Sequence, residues 1–180
     1  ATIIASLSTG QLSGLNTTQI SGLNTTAFGS LTSPQLFGLT STQVNALSAA
    51  DIATLTTGQL SGFTSTEIGY FAATQLNSFS VTTFANLAAT QVTGLRSTQM
   101  AGLNSTHLNA FSAADIALLD PATQLVGLSA AQINTINTTT FGALTSTQLS
   151  GLTSAQVRGF SGAQLGVITS GQLSGLADTQ

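Results

Sequence analysis

The chain has 180 residues, no cysteine, no lysine and two arginines, Arg96 and Arg158; 4% of its residues are charged and the formal net charge is -3. Binding nucleic acid takes clustered Lys and Arg against phosphates, so this composition argues against it, and disulfides contribute nothing. The apolar fraction is 42%, yet Ser, Thr, Asn or Gln breaks every run well before the roughly 18 to 20 residues a membrane helix needs.

From the start, the chain repeats with a period of eight. The opening ATIIASLSTG has no basic stretch and only a very short apolar one, so it does not read as an intact secretion signal. With the octad numbered so that its last residue is position eight, that position is Leu7, Leu15, Leu23 and so on at intervals of eight to Leu119, with Phe at Phe63, Phe71, Phe79 and Phe111. Nine residues, DPATQLVGL, then carry the chain to Leu128, and the octads resume at Ile136, Leu144, Leu152, Phe160, Ile168 and Leu176. The domain reading is therefore a single repeat array over residues 1–180, in phase over 1–119, with a one-residue insertion at 120–128 and octads again over 129–180.

Within the octad, position five is always apolar (Leu12, Ile20, Phe28, Leu36, Val44, Ile52, through Leu125 and Ile133 to Leu173). Position one is nearly always Ser, Thr or Asn, and position four is mostly Gln, with Asp51, Glu67 and Asp115 standing in. That is the [ST]-x-x-[EQ] signature of a capping box, which opens a helix. Pro34 and Pro121 fall in the opening of their repeats, where a missing N–H costs nothing. Glycine at position seven in ten repeats, such as Gly14, Gly22, Gly94 and Gly151, and at position six in Gly29, Gly69, Gly142 and Gly166, marks a helix end or a close backbone approach.

The spacing selects the conformation. Eight residues advance a continuous helix by about 800°, displacing the apolar stripe by about 80° per repeat, so one long helix cannot keep its core on one side. In a strand, positions five and eight point to opposite faces, and each face is starved. A helix of one to two turns that restarts in every octad puts both apolar residues inward. Two such side chains do not offset the entropy of ordering eight residues, so no octad folds alone and the core must come from stacking. The expected fold is all-α, a solenoid or superhelix of very short helices, one per octapeptide repeat; a β-solenoid whose coils each consume two or three octads is the alternative.

LTSTQVNAL, LTSTQLSGL and LSAAQINTI resemble the LTTAQ[IV]AAL-type octapeptide arrays of large secreted or cell-surface proteins of Proteobacteria, and the resemblance runs along nearly the whole chain. It implies an extracellular, bacterial, adhesin-like surface setting and a structural role, and it brings no catalytic residues. The chain departs from those arrays in using Ser, Thr, Asn and Gly where alanine is commonest.

Chemistry is sparse. His107 is the one histidine and stands at position four, where it reads as a polar substitute in the box rather than a ligand or base; without cysteine or a second histidine no triad or zinc site assembles. Asp51 and Asp115, in the near-identical SAADIATL and SAADIALL, read as capping carboxylates before weak cation sites, since calcium needs six or more converging oxygens. Asp120 with Pro121 is expected to absorb the insertion by restarting a helix. Asn16, Asn24, Asn104 and Asn137 each open an N-x-[ST] sequon, and all four are position one, where Asn is wanted as a cap. No catalytic, cofactor-binding or metal residue is assigned, and no enzyme activity is expected.

The expected function is that of an extracellular structural protein at the cell surface. Neither end of the array carries a polar capping repeat, so identical chains are expected to join head to tail, the face after Leu176 meeting the one before Leu7, into a filament or adhesin fibre. Ice binding is the alternative, through position-three threonines in six successive octads: Thr66, Thr74, Thr82, Thr90, Thr98 and Thr106. A solenoid surface for a protein ligand is a third, with Phe37 and Tyr70 as its only aromatic candidates. Phe28, Phe84 and Phe141 occupy position five in repeats lacking the usual Gln, 56 and 57 residues apart, and suggest a seven-octad period. For the core, Leu149→Asn or Leu152→Asn should each lower stability by roughly 3 to 5 kcal/mol, while Ser150→Asn should be nearly neutral in denaturant unfolding. Equal effects at all three would defeat the octad reading.

Overall fold

The repeat folds as one short helix per octad. The structure, a computed structural model, describes residues 2–177 and 180, and among them it contains twenty-one α-helices of four to six residues, one 3-10 helix and no strand. The terminal ADTQ repeat is thus described at Ala177 and Gln180 only. The all-α solenoid reading holds, and the β-solenoid does not.

A typical octad shows why. In Thr145–Leu152, Thr145 has extended backbone and its hydroxyl accepts from the N–H of Gln148; the Gln148 carboxamide accepts from the N–H of Thr145. This box opens the helix Ser146–Ser150. The helix closes when Leu152 N–H donates to the carbonyl of Leu149 and Ser150 Oγ to that of Thr147. Position eight, back in extended conformation, leads into the next cap. Where position one is Ala72, Ala88 or Arg96, the glutamine still accepts from that residue's N–H at 2.8 Å. Position four carries the box even where position one supplies no hydroxyl.

Two compact units divide the chain, residues 1–94 and 95–180. Within the first, helices three octads apart pack together: Thr9–Ser13 on Ser33–Phe37, Thr25–Gly29 on Ala49–Ala53, and Ser65–Ile68 on Ala89–Val92. The second follows the same rule, with Ala130–Thr135 on Ser154–Val157 and Ser146–Ser150 on Ser170–Leu173. Position-four side chains reach backbone 28 residues earlier in both units. One coil therefore takes about three and a half octads.

Positions five and eight fill the inside of the coils, position five from Leu12 and position eight from Leu31 to Leu87 in the first unit, and both from Leu95 to Leu152 in the second. Consecutive position-eight residues meet at the centre, where Phe63, Phe71 and Phe79 pack edge to face at 5.2 and 5.4 Å between ring centroids. Phe28, Phe84 and Phe141 are all buried. Phe28 and Phe84, seven octads apart, are separated by two coils of the first unit.

The insertion does not restart an α-helix. Asp120 instead caps a wider turn, in which Leu125 N–H donates to the Asp120 carbonyl and Val126 N–H to that of Pro121, five residues back, before the 3-10 helix Leu125–Gly127. The extra residue is taken up by the wider turn, so Gln124, Leu125 and Leu128 keep positions four, five and eight and are buried like their equivalents.

No described residue has a positive φ, so glycine is not needed for left-handed backbone. At Gly14, Gly22, Gly38 and Gly151 it ends the helix as the C-cap residue, and at other position-seven glycines a close approach requires it. A Cβ at Gly62 would collide with the backbone of Ser33, one at Gly94 with that of Ser65, and one at Gly159 with that of Ala130, each 29 residues earlier. At Gly58, position three, an added Cβ would meet only Thr56 Oγ1, at an ordinary contact distance of 3.9 Å. Gly94→Ala should therefore lower stability by about 2 kcal/mol or more, whereas Gly58→Ala should raise it by roughly 0.5 to 1 kcal/mol; thermal unfolding of the two variants checks the contrast.

Candidate functional site: a ladder of glutamine amides

A helix of one turn leaves about as many backbone groups unpaired as it pairs: the N–H groups of its first turn and the carbonyls of its last. In this chain one side chain serves both sets. Gln43 Oε1 accepts from Thr40 N–H within its own octad, while Gln43 Nε2 donates to the carbonyls of Leu12, Ser13 and Leu15 at 2.9, 3.2 and 2.7 Å. Those carbonyls close the helix four octads earlier. Gln75 repeats the contact on Val44, Asn45 and Leu47, and Gln91 on Leu60 and Phe63. In the second unit Gln132 bonds Met100 and Leu103, Gln148 bonds Ile116 and Leu119, and Gln164 bonds Ile133 and Ile136. Gln180 extends the series to Leu149, Ser150 and Leu152.

Most of these glutamines are buried; Gln43 is 2% exposed and Gln148 3%. Burying an amide is costly unless every donor and acceptor is met, and here both ends of the amide are. The capping box was legible, but the second half of the contact was not. Its signal was the choice of amide over acid: fifteen octads carry Gln at position four and one carries Glu, although either can close a capping box.

The exceptions sort themselves by the same chemistry. Glu67 accepts from Thr64 N–H and Oγ through Oε2 and is 6% exposed, but a carboxylate cannot donate to the coil before it. Asp51 and Asp115 accept from the N–H and hydroxyl of Ser48 and Ser112. They lie in different units, and no three of His, Asp and Glu come together among the described residues. Thr83, beside Phe84, reaches one carbonyl, that of Leu55.

His107 is buried with Nδ1 3.0 Å from Asn104 Oδ1, which also accepts His107's own backbone N–H. Since the amide oxygen only accepts, Nδ1 carries the proton. The ring therefore belongs to the cap. Asp120 is exposed, and the hydroxyl and N–H of Thr123, with the N–H of Ala122, hold its carboxyl below the ordinary aspartate range. Arg96 and Arg158 are exposed. Phe37 is 58% exposed and Tyr70 half-buried.

The position-three threonines are exposed, but those of the first unit do not stand in one row. Octads that pack together are three apart, so Thr66, Thr74, Thr82 and Thr90 follow one another around the coil.

Residues 4–41 match the family described as the ALTTAQ repeat. No curated protein matches the chain.

The ladder makes a paired prediction. Gln91→Glu keeps the capping acceptor and removes the donor, leaving the Leu60 and Phe63 carbonyls without their partner; it should cost about 1 to 3 kcal/mol. Glu67→Gln supplies the missing donor and should stabilise by roughly 1 kcal/mol. Urea unfolding near neutral pH measures both, and a stabilising Gln91→Glu would rule out the ladder.

Proposed function

We propose that the chain is a structural repeat protein of the cell surface, with no catalytic role, whose coils propagate by joining copies end to end into a filament or adhesin-like fibre. The observation that carries this reading is the polarity of the glutamine ladder. Within each unit a coil offers amide donors to the coil before it and carbonyl acceptors to the coil after it, so a coil is a template for another.

Groups of both kinds stand without such a contact among the described residues. Gln11 and Gln19 complete their own capping boxes, yet their Nε2 atoms make no hydrogen bond among the described residues, and both side chains are exposed. In the octads from Thr153 to Leu176, the position-five and position-eight carbonyls receive no amide among the described residues, and Leu165 and Leu173 are 55% and 57% exposed. A second copy in register brings the amides onto those carbonyls and covers the leucines. With a net charge of -3, repulsion between copies is weak. Among the described residues no helix is long and apolar enough to cross a membrane, and the partial match to the ALTTAQ repeat is in keeping with a repeat protein.

Light scattering and electron microscopy of the purified chain should show concentration-dependent linear oligomers that added salt hardly changes. The double variant Gln11→Glu/Gln19→Glu should shift the distribution to monomer without lowering the melting temperature, because those amides hold nothing among the described residues. A monodisperse monomer for the unmodified protein at high concentration would defeat the proposal.

A further inference from the structure

A sequon asparagine that caps a helix can also carry a sugar, because the two roles use different atoms of the amide. Each asparagine caps through Oδ1: Asn16 accepts from Gln19 N–H, Asn24 from Ala27 N–H, Asn104 from His107 N–H and Asn137 from Thr140 N–H, all at 2.9 Å. An N-linked sugar is attached at the other atom, Nδ2. A glycan leaves the cap intact.

The four then separate by what Nδ2 does. At Asn137 it donates to Asn109 Oδ1 at 2.8 Å, a bond that the neighbouring Asn137 N–H reinforces at 2.7 Å. Asn104 shares its Oδ1 with the buried His107 ring. At Asn16 and Asn24, Nδ2 makes no hydrogen bond among the described residues, and both side chains are exposed. The hydroxyl residues two places on, Thr18 and Thr26, are exposed as well. The two asparagines stand in successive octads at position one, away from positions four, five, seven and eight, which hold coil to coil.

We infer that Asn16 and Asn24 are acceptor sites for N-linked sugar, and that Asn137 is not. The donor is an activated glycosyl diphosphate, and the transferase acts in trans. Nδ2 forms a bond to the anomeric carbon as the bond from that carbon to the diphosphate oxygen breaks; the diphosphate leaves with the electron pair, and the amide proton passes to a base of the transferase. Resting on the surface-protein reading, the modification supplies hydration along the sides of a chain with 4% charged residues while leaving the ladder groups bare.

The test is peptide mapping by mass spectrometry of the protein purified from the cells that make it, with the variant Thr18→Ala/Thr26→Ala alongside. Those substitutions destroy both sequons and keep both asparagine caps. Expected are hexose- or hexosamine-bearing peptides at Asn16 and Asn24 in most molecules, an unmodified Asn137 peptide, and loss of the sugar in the variant with secondary structure unchanged by circular dichroism. Bare peptides at Asn16 and Asn24, or sugar retained in the variant, would overturn the assignment. Because the readout is a mass and not an oligomeric state, it stands or falls separately from end-to-end assembly.

Discussion

The structure depends on how helices of a single turn satisfy their backbone. Such helices gain little from their own hydrogen bonds and leave both termini unpaired, so an array of them is viable only if something meets those groups repeatedly and out of water. The position-four glutamine does this. Its oxygen accepts an N–H at the start of one helix, and its nitrogen donates to carbonyls at the end of another, as Gln148 does for Thr145 and for Ile116 and Leu119. Hydrophobic burial at positions five and eight drives the coils together. The amide sets the register in which they meet.

Much of this was legible in the sequence. An eight-residue period with apolar residues three apart leaves few conformations that bury both, and the capping box chooses the helix. What periodicity cannot reveal is which octads touch. That follows from the pitch of the coil, which depends on the angle between successive short helices, and no residue type encodes that angle by itself. The ladder escaped for the same reason. Gln43 lies 31 residues from Leu12, and nothing local marks them as partners.

The insertion and the glycines show two further limits. Asp120 and Pro121 look like an ordinary helix opening, yet the extra residue is accommodated by a turn closed five residues back, a geometry with no distinctive residue signature. Position-seven glycine had two readings, helix end or close approach; both occur, and only the neighbouring coil shows at which glycines the second applies. Candidate chemistry was easier to judge, because His107, Asp51 and Asp115 each stand at position four, and the bonds they make are variations on what glutamine does there.

Three and a half octads per coil has a consequence for how such a chain changes length. Because the number is not whole, no octad stands squarely over another in the adjacent coil, and the same azimuth returns only after seven octads and two coils. Deleting or duplicating one octad would preserve the ladder but rotate the rest of its unit by about 100° about the coil axis. Slippage in a repetitive coding sequence thus re-aims the lateral side chains beyond it in the same unit, and lateral pattern survives only when octads are gained or lost in sevens.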